Sequence, residues 1–151
     1  MNAAQGFGLP DAEAAKVPQK SQKEDQTSEN DFSREIIGAA VEVQRVLGVG
    51  LLESAYAAAM QIELAERKLA FAREVSIAAS YKGQSLGQAY RADFIVEQSV
   101  ILELKAIEGT SDLHRAQLLS YLRLSGLKLG LLINFHVFPV FKGVHRMVNR
   151  P

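Results

Sequence analysis

The chain has no cysteine. Disulfides, cysteine-ligated zinc and a thiol nucleophile are therefore excluded. Any metal must be held by oxygen or imidazole, and oxygen ligands favour Mg²⁺, Mn²⁺ or Ca²⁺. The missing thiols fit a reducing, cytoplasmic setting. No apolar run approaches the ~18 residues needed to span a bilayer, so no membrane association is expected. The start lacks the apolar segment of a secretory signal. No Gly-rich loop able to cradle a nucleotide is present, which counts against phosphoester chemistry on small molecules. No sequence repeat occurs. Net charge is also missing, with 17 Lys/Arg against 17 Asp/Glu. A dedicated double-strand binder is usually more basic. The charge is uneven, however. Residues 1–31 hold three basic and six acidic residues, so the remainder carries 14 − 11 = +3. That bias permits phosphate binding without requiring it.

What is present is enough for one domain. The 151 residues are 48% hydrophobic and 23% charged, the balance of a globular protein. Residues 1–30 read as a disordered tail, polar and interrupted by Gly6, Gly8, Pro10 and Pro18. Residues 31–151 read as the folded domain. Asn30 or Asp31 can cap a first helix, and Ile36, Ala40, Val43 and Leu47 form one apolar stripe on it. Gly48-Val49-Gly50 breaks the pattern, and an alanine-rich helix follows from about Leu52 to Lys68.

Three strands are then predicted, over Arg73 to Tyr81, Ala89 to Val96 and Val100 to Ile107. Turns at Lys82-Gly83-Gln84 and Glu97-Gln98-Ser99 join them. A helix from about Leu113 to Ser125 ends at Gly126. Leu129 to Phe135 reads as a buried strand. Phe138 to Phe141 and Val144 to Val148 are candidates for a last pairing around Gly143. The order is α, β-β-β, α, β, an α/β fold with a mixed sheet flanked by helices.

Glu103 and Lys105 occupy i and i+2 of a strand that otherwise reads as buried, so they share a face. Charge on such a strand is costly unless it is paired or binds something. On pattern alone the two are equally readable as an ion pair. Asp93 lies ten residues earlier, and a hairpin brings it beside Glu103. Two adjacent carboxylates repel, and a divalent cation is the simple remedy. Lys105 then supplies positive charge near a phosphate. These parts suit phosphodiester hydrolysis. Gln117 and Tyr121 share a helical face with His114 and can bind phosphate or a base, or orient water. They can also simply line a polar helix face. Glu53 can add a carboxylate to the metal site, directly or through water, or can merely compensate the helix dipole. Tyr56 reads better as packing, and Gly48 and Gly50 as turn residues.

The stretch Gly50-Leu51-Leu52-Glu53-Ser54-Ala55-Tyr56 resembles the signature of the GxxExxY proteins, a family assigned to the PD-(D/E)XK nuclease-like superfamily. The similarity runs from about Phe32 to Asn149. It includes Ala92-Asp93, Glu103-Leu104-Lys105-Ala106, His114 with Gln117 to Leu122, and Gly130 to Phe135. The short signature is unspecific alone, but the ordered set is specific. The resemblance implies an αβββαβ restriction-endonuclease-like core with the site on its central strands. It places Asp93, Glu103 and Lys105 at the superfamily's acid, acid and lysine positions, Glu53 at an acid from the first helix, and Gln117 and Tyr121 beside the site. Ala92 stands where the superfamily's proline would be, a position that varies. The implied activity is a Mg²⁺- or Mn²⁺-dependent nuclease acting on DNA, with RNA as the alternative to DNA. The metal ligands would be Asp93, Glu103 and Glu53. The rival reading keeps the fold without turnover, as a module that binds nucleic acid or a protein partner, or that forms a homodimer.

Overall fold

The computed structural model describes the backbone of residues 22–150 and the side chains of residues 32–150. The first helix, α1, spans Gln22–Leu47. It begins ahead of the expected start at Asn30 or Asp31. Residues 22–30, assigned to a disordered tail by their polarity, instead form its opening turns. That stretch holds neither Gly nor Pro, so nothing in it stops a helix. The expectation for residues 1–21 lies outside the described residues. The predicted stripe is the buried one, with Ile36, Ala40 and Val43 in the core, although Leu47 at the end is 38% exposed. Gly48 ends α1 at φ 76°, its N–H bonding the carbonyl of Gln44 at 2.8 Å.

Helix α2 (Glu53–Glu66) packs beside α1. The strands are β1 (Phe71–Tyr81), β2 (Gln84–Val96) and β3 (Val100–Lys105). Helix α3 (Asp112–Ser125) leads to β4 (Leu129–Asn134), and a 3-10 turn at Val140–Gly143 precedes β5 (Val144–Val148). Phe138 to Phe141 therefore supplies no strand, whereas Val144 to Val148 pairs with β4 along its length. β1 and β2 start earlier than their apolar patterns suggested.

The sheet order is β1-β2-β3-β4-β5, antiparallel except for β3 beside β4. That parallel pair requires a crossover, and α3 provides it. Every residue of β4, and all of β3 but Lys105, is buried, as expected for central strands covered on both faces. Leu102, Leu104, Leu131 and Ile133 pack under α1 and α2. Ile101 and Leu132 face the other way, against Leu118 and Leu122 of α3. The result is the expected α/β architecture with a mixed sheet between helices.

Candidate active site

The site grows from the place where β2 and β3 stop pairing as regular strands. Their register runs Val96↔Val100, Ile95↔Ile101 and Phe94↔Leu102. One further step sets Asp93 opposite Glu103. There side chains take over the ladder. The Asp93 N–H donates to Glu103 Oε2 at 3.1 Å, and the Leu104 N–H donates to Asp93 Oδ2 at 2.8 Å. Each acid is thus fixed by the backbone of the other's strand.

The chain is irregular at this point. Phe94 and Val96 belong to the cluster under α1 and α2, whereas Tyr90 and Ala92 belong to the one under α3. Strand β2 therefore exchanges faces at Asp93. Opposite it, Glu74 sits between the register pairs Arg73↔Phe94 and Val75↔Ala92 and adopts φ 52°. A left-handed non-glycine residue costs on the order of 1 kcal/mol, and such bends commonly re-aim a side chain beside a site.

Glu103 is only 9% exposed. Burial, then the negative charge of Asp93, push its carboxyl up to about 8, against the pull of the Asp93 N–H, the Tyr90 hydroxyl and Lys105. Tyr90 donates its hydroxyl to Glu103 Oε2 at 3.2 Å and stacks its ring on Tyr121, the planes 20° apart. Burial and the neighbouring Glu103 hold the Tyr90 hydroxyl far above the ordinary tyrosine range, so it remains a donor. Asp93 is also raised, first by burial, while the Leu104 N–H, Lys105 and Arg73 oppose the shift. Glu53 opens α2, exposed as a residue yet partly desolvated at its carboxyl. That desolvation, then the charge of Asp93, raises it, and Lys105 again opposes. One lysine thus acts on all three acids.

Asp93, Glu103, Lys105, Glu53 and Tyr121 therefore share one electrostatic neighbourhood. Gln117 lies one turn before Tyr121 on the same helix. It is exposed on α3, and among the described residues no hydrogen bond ties it to the two central acids. His114 is engaged in the helix cap, its Nδ1 accepting the Ser111 N–H at 3.1 Å. Tyr56 is buried and stacks on Phe135. Its hydroxyl donates to the Gly48 carbonyl at 2.6 Å and accepts the Leu51 N–H at 3.3 Å. The tyrosine of the short signature thus staples the Gly48–Leu51 turn that presents Glu53.

Tyr90 escaped the sequence reading for a definite reason. Strict alternation places residues 90 and 93 on opposite faces, and only the bend at Asp93 unites them. Arg73 and Glu74 were missed likewise. Arg73 lies over the Phe94 ring and lowers the Asp93 carboxyl, while Glu74 raises it.

Among the described residues no group of three or more His, Asp or Glu side chains is gathered to hold an ion. The available set is the Asp93–Glu103 pair, whose hydrogen bonds fall on Oδ2 and Oε2 and leave Oδ1 and Oε1 outside those contacts. Such a set suits Mg²⁺, which keeps several waters and takes one or two carboxylates plus substrate phosphate.

Neither the curated proteins nor the solved structures contain a match to this chain. A family model does match, over residues 30–147, and it describes the PD-(D/E)XK nuclease superfamily. That span runs from within α1 to β5 and includes both carboxylates and Lys105, so the chain belongs to the PD-(D/E)XK nuclease superfamily.

Proposed function

We propose that the protein is a metal-dependent nuclease, with DNA as its substrate and Mg²⁺ or Mn²⁺ as its cofactor. The observation that carries this reading is the reciprocal clamp of Asp93 and Glu103 at the end of β3, with Lys105 in the field of both. A buried and a half-buried carboxyl held this close resist ionising together, and a hard cation offsets that repulsion. An ion held by these two carboxylates would supply Lewis-acid charge for a phosphate.

The chain's own groups do the rest. Asp93 and Glu103 hold the ion. Lys105 stabilises negative charge developing on the phosphate. Tyr90 keeps Glu103 oriented and ionisable, and Tyr121 supports Tyr90 by stacking. Glu53 would add a carboxylate to the metal site, directly or through water. Gln117 and Tyr121 also flank the substrate's approach from α3. The stretch Gly50 to Tyr56 is that of a GxxExxY protein, its glycine and tyrosine shaping the turn that carries Glu53.

The test is cleavage of plasmid and linear DNA, and of RNA, with each metal. Wild type cleaves, and Lys105→Ala loses ~10²-fold or more in rate. Identical cleavage by the two proteins refutes the mechanism. A folded wild type without turnover, yet binding nucleic acid, favours an inactive binding module.

A further inference from the structure

The hairpin of β1 and β2 extends far beyond what the core needs. β3 pairs with β2 only over Phe94 to Val96. Past Asp93, β1 is the sole strand partner of β2 among the described residues, and the pairing continues from Ile77↔Tyr90 to Tyr81↔Gln84. Ile77 is the last buried residue of β1. From Ala78 to Ala89 every residue but Ala79 is exposed, Tyr81 by 62% and Leu86 by 64%. At ~3.3 Å per residue, the ribbon projects roughly 20 Å past Tyr90.

Its direction is fixed by topology. β2 runs antiparallel to β3, so the ribbon leaves the sheet at the C-terminal end of β3, where Glu103 and Lys105 stand. It begins at the site, because Tyr90 bonds Glu103. Its composition differs from that of the whole chain. Residues 75–92 contain Lys82 and Arg91 and no acid, although the chain holds 17. The other polar side chains are serines and glutamines, which hydrogen-bond without charge.

Resting on the nuclease reading above, we propose that this ribbon enters the major groove of duplex DNA and holds the duplex against the Asp93–Glu103 site. A two-stranded ribbon fits the major groove of B-DNA, which is ~12 Å wide. An acid-free projection meets no repulsion between two phosphate walls. The deep, narrow major groove of A-form RNA does not admit it. A second copy pairing along the edge that β2 leaves open past Asp93 is disfavoured, since the register shifts insert Leu86 and Ala89 into β2. These shifts follow Ile77 and Ala79, and Lys82, Gly83 and Gly87 adopt positive φ. Such irregularities blunt an edge against strand addition.

The experiment uses the full chain with a fluorescent 20-base-pair DNA duplex and a chelator to prevent turnover. Anisotropy gives Kd across a salt series, and thermal denaturation checks folding. Lys82→Glu combined with Gln84→Glu, both at the exposed tip, raises Kd at least tenfold and flattens the salt dependence, with Tm unchanged. Lys68→Glu, away from the ribbon, changes Kd less than threefold. A second variant replaces residues 79–87 with Asn-Gly and loses duplex binding in the same way. Each of four results overturns the proposal: a tip variant within twofold of wild type, no duplex binding by wild type, equal competition by single strands or an RNA duplex, or a change of oligomeric state at unchanged Kd. Hydrolysis of bis(p-nitrophenyl) phosphate, too small to reach the ribbon, separates the two readings. Ribbon-dependent binding with no hydrolysis of any substrate sinks the nuclease reading alone. Hydrolysis that Lys105→Ala abolishes, with tip-independent binding, sinks the ribbon alone.

Discussion

Glu103 is the most perturbed carboxyl of the site. Its ordinary value is 4.5, and the fold lifts it to about 8. The native state therefore binds this proton more tightly than the unfolded chain does. The resulting stabilisation is complete below pH 4.5 and is lost as pH rises through 8. With a chelator present, wild type should lose a few kcal/mol between about pH 5 and pH 9 on this account. Glu103→Gln should remain flatter over the range, and thermal denaturation reads both. Parallel profiles would show that Glu103 ionises normally. Tyr90 refines this. Its hydroxyl lowers the Glu103 carboxyl. Tyr90→Phe should therefore move the acid limb of the pH–cleavage profile upward by about one unit, given ~1.5 kcal/mol for a hydrogen bond to a charged group. A rate loss with no shift in the profile would give Tyr90 a packing role only.

Between elements, the buried Gln44 on α1 decides how the β5 edge of the sheet is closed. Its amide nitrogen donates to the carbonyls of Phe135 and Val137 at 3.1 and 2.8 Å, and its oxygen accepts the Val140 N–H at 2.8 Å. One side chain thus satisfies three backbone groups of the segment joining β4 to β5. Gln44→Leu keeps the size but leaves those groups unpaired, and should cost roughly 2–4 kcal/mol in urea denaturation. A loss below about 0.5 kcal/mol would mean that water replaces the amide. The packing of α3 on β4 is equally tight. A Cβ on Gly130 would meet Leu118 Cδ1 at 2.9 Å. Gly130→Ala should destabilise by about 1–3 kcal/mol through overpacking, and by more if α3 cannot shift.

For the molecule as a whole, a cation held by the native state alone stabilises it by mass action. At ten times its dissociation constant, Mg²⁺ should add about 1.4 kcal/mol, or a few degrees in Tm. The increase should grow from pH 6 to pH 8, since binding needs both carboxyls ionised. Asp93→Asn should abolish it. An equal rise in both proteins would point to a general ionic effect.

The order of strands and helices was legible because periodicity reports burial. The strands read over Val100 to Ile107 and Leu129 to Phe135 are the central ones, although they end at Lys105 and Asn134. The spacing of Asp93, Glu103 and Lys105 likewise marked the acids and the lysine, since strand alternation and one short hairpin suffice to bring them together. Polarity misled at residues 22–30, where the sequence shows no helix breaker but also no apolar stripe. Only the tertiary structure decided the rest. The exchange of faces at Asp93 joins Tyr90 to Glu103 against simple alternation. The positive φ of Glu74 opposite it has no glycine to announce it. The capping role of His114 and the exposed place of Gln117 depend on where α3 begins and how it lies on the sheet. A sequence pattern encodes which residues prefer burial. The bond each polar group makes is set by the few neighbours that folding brings within reach.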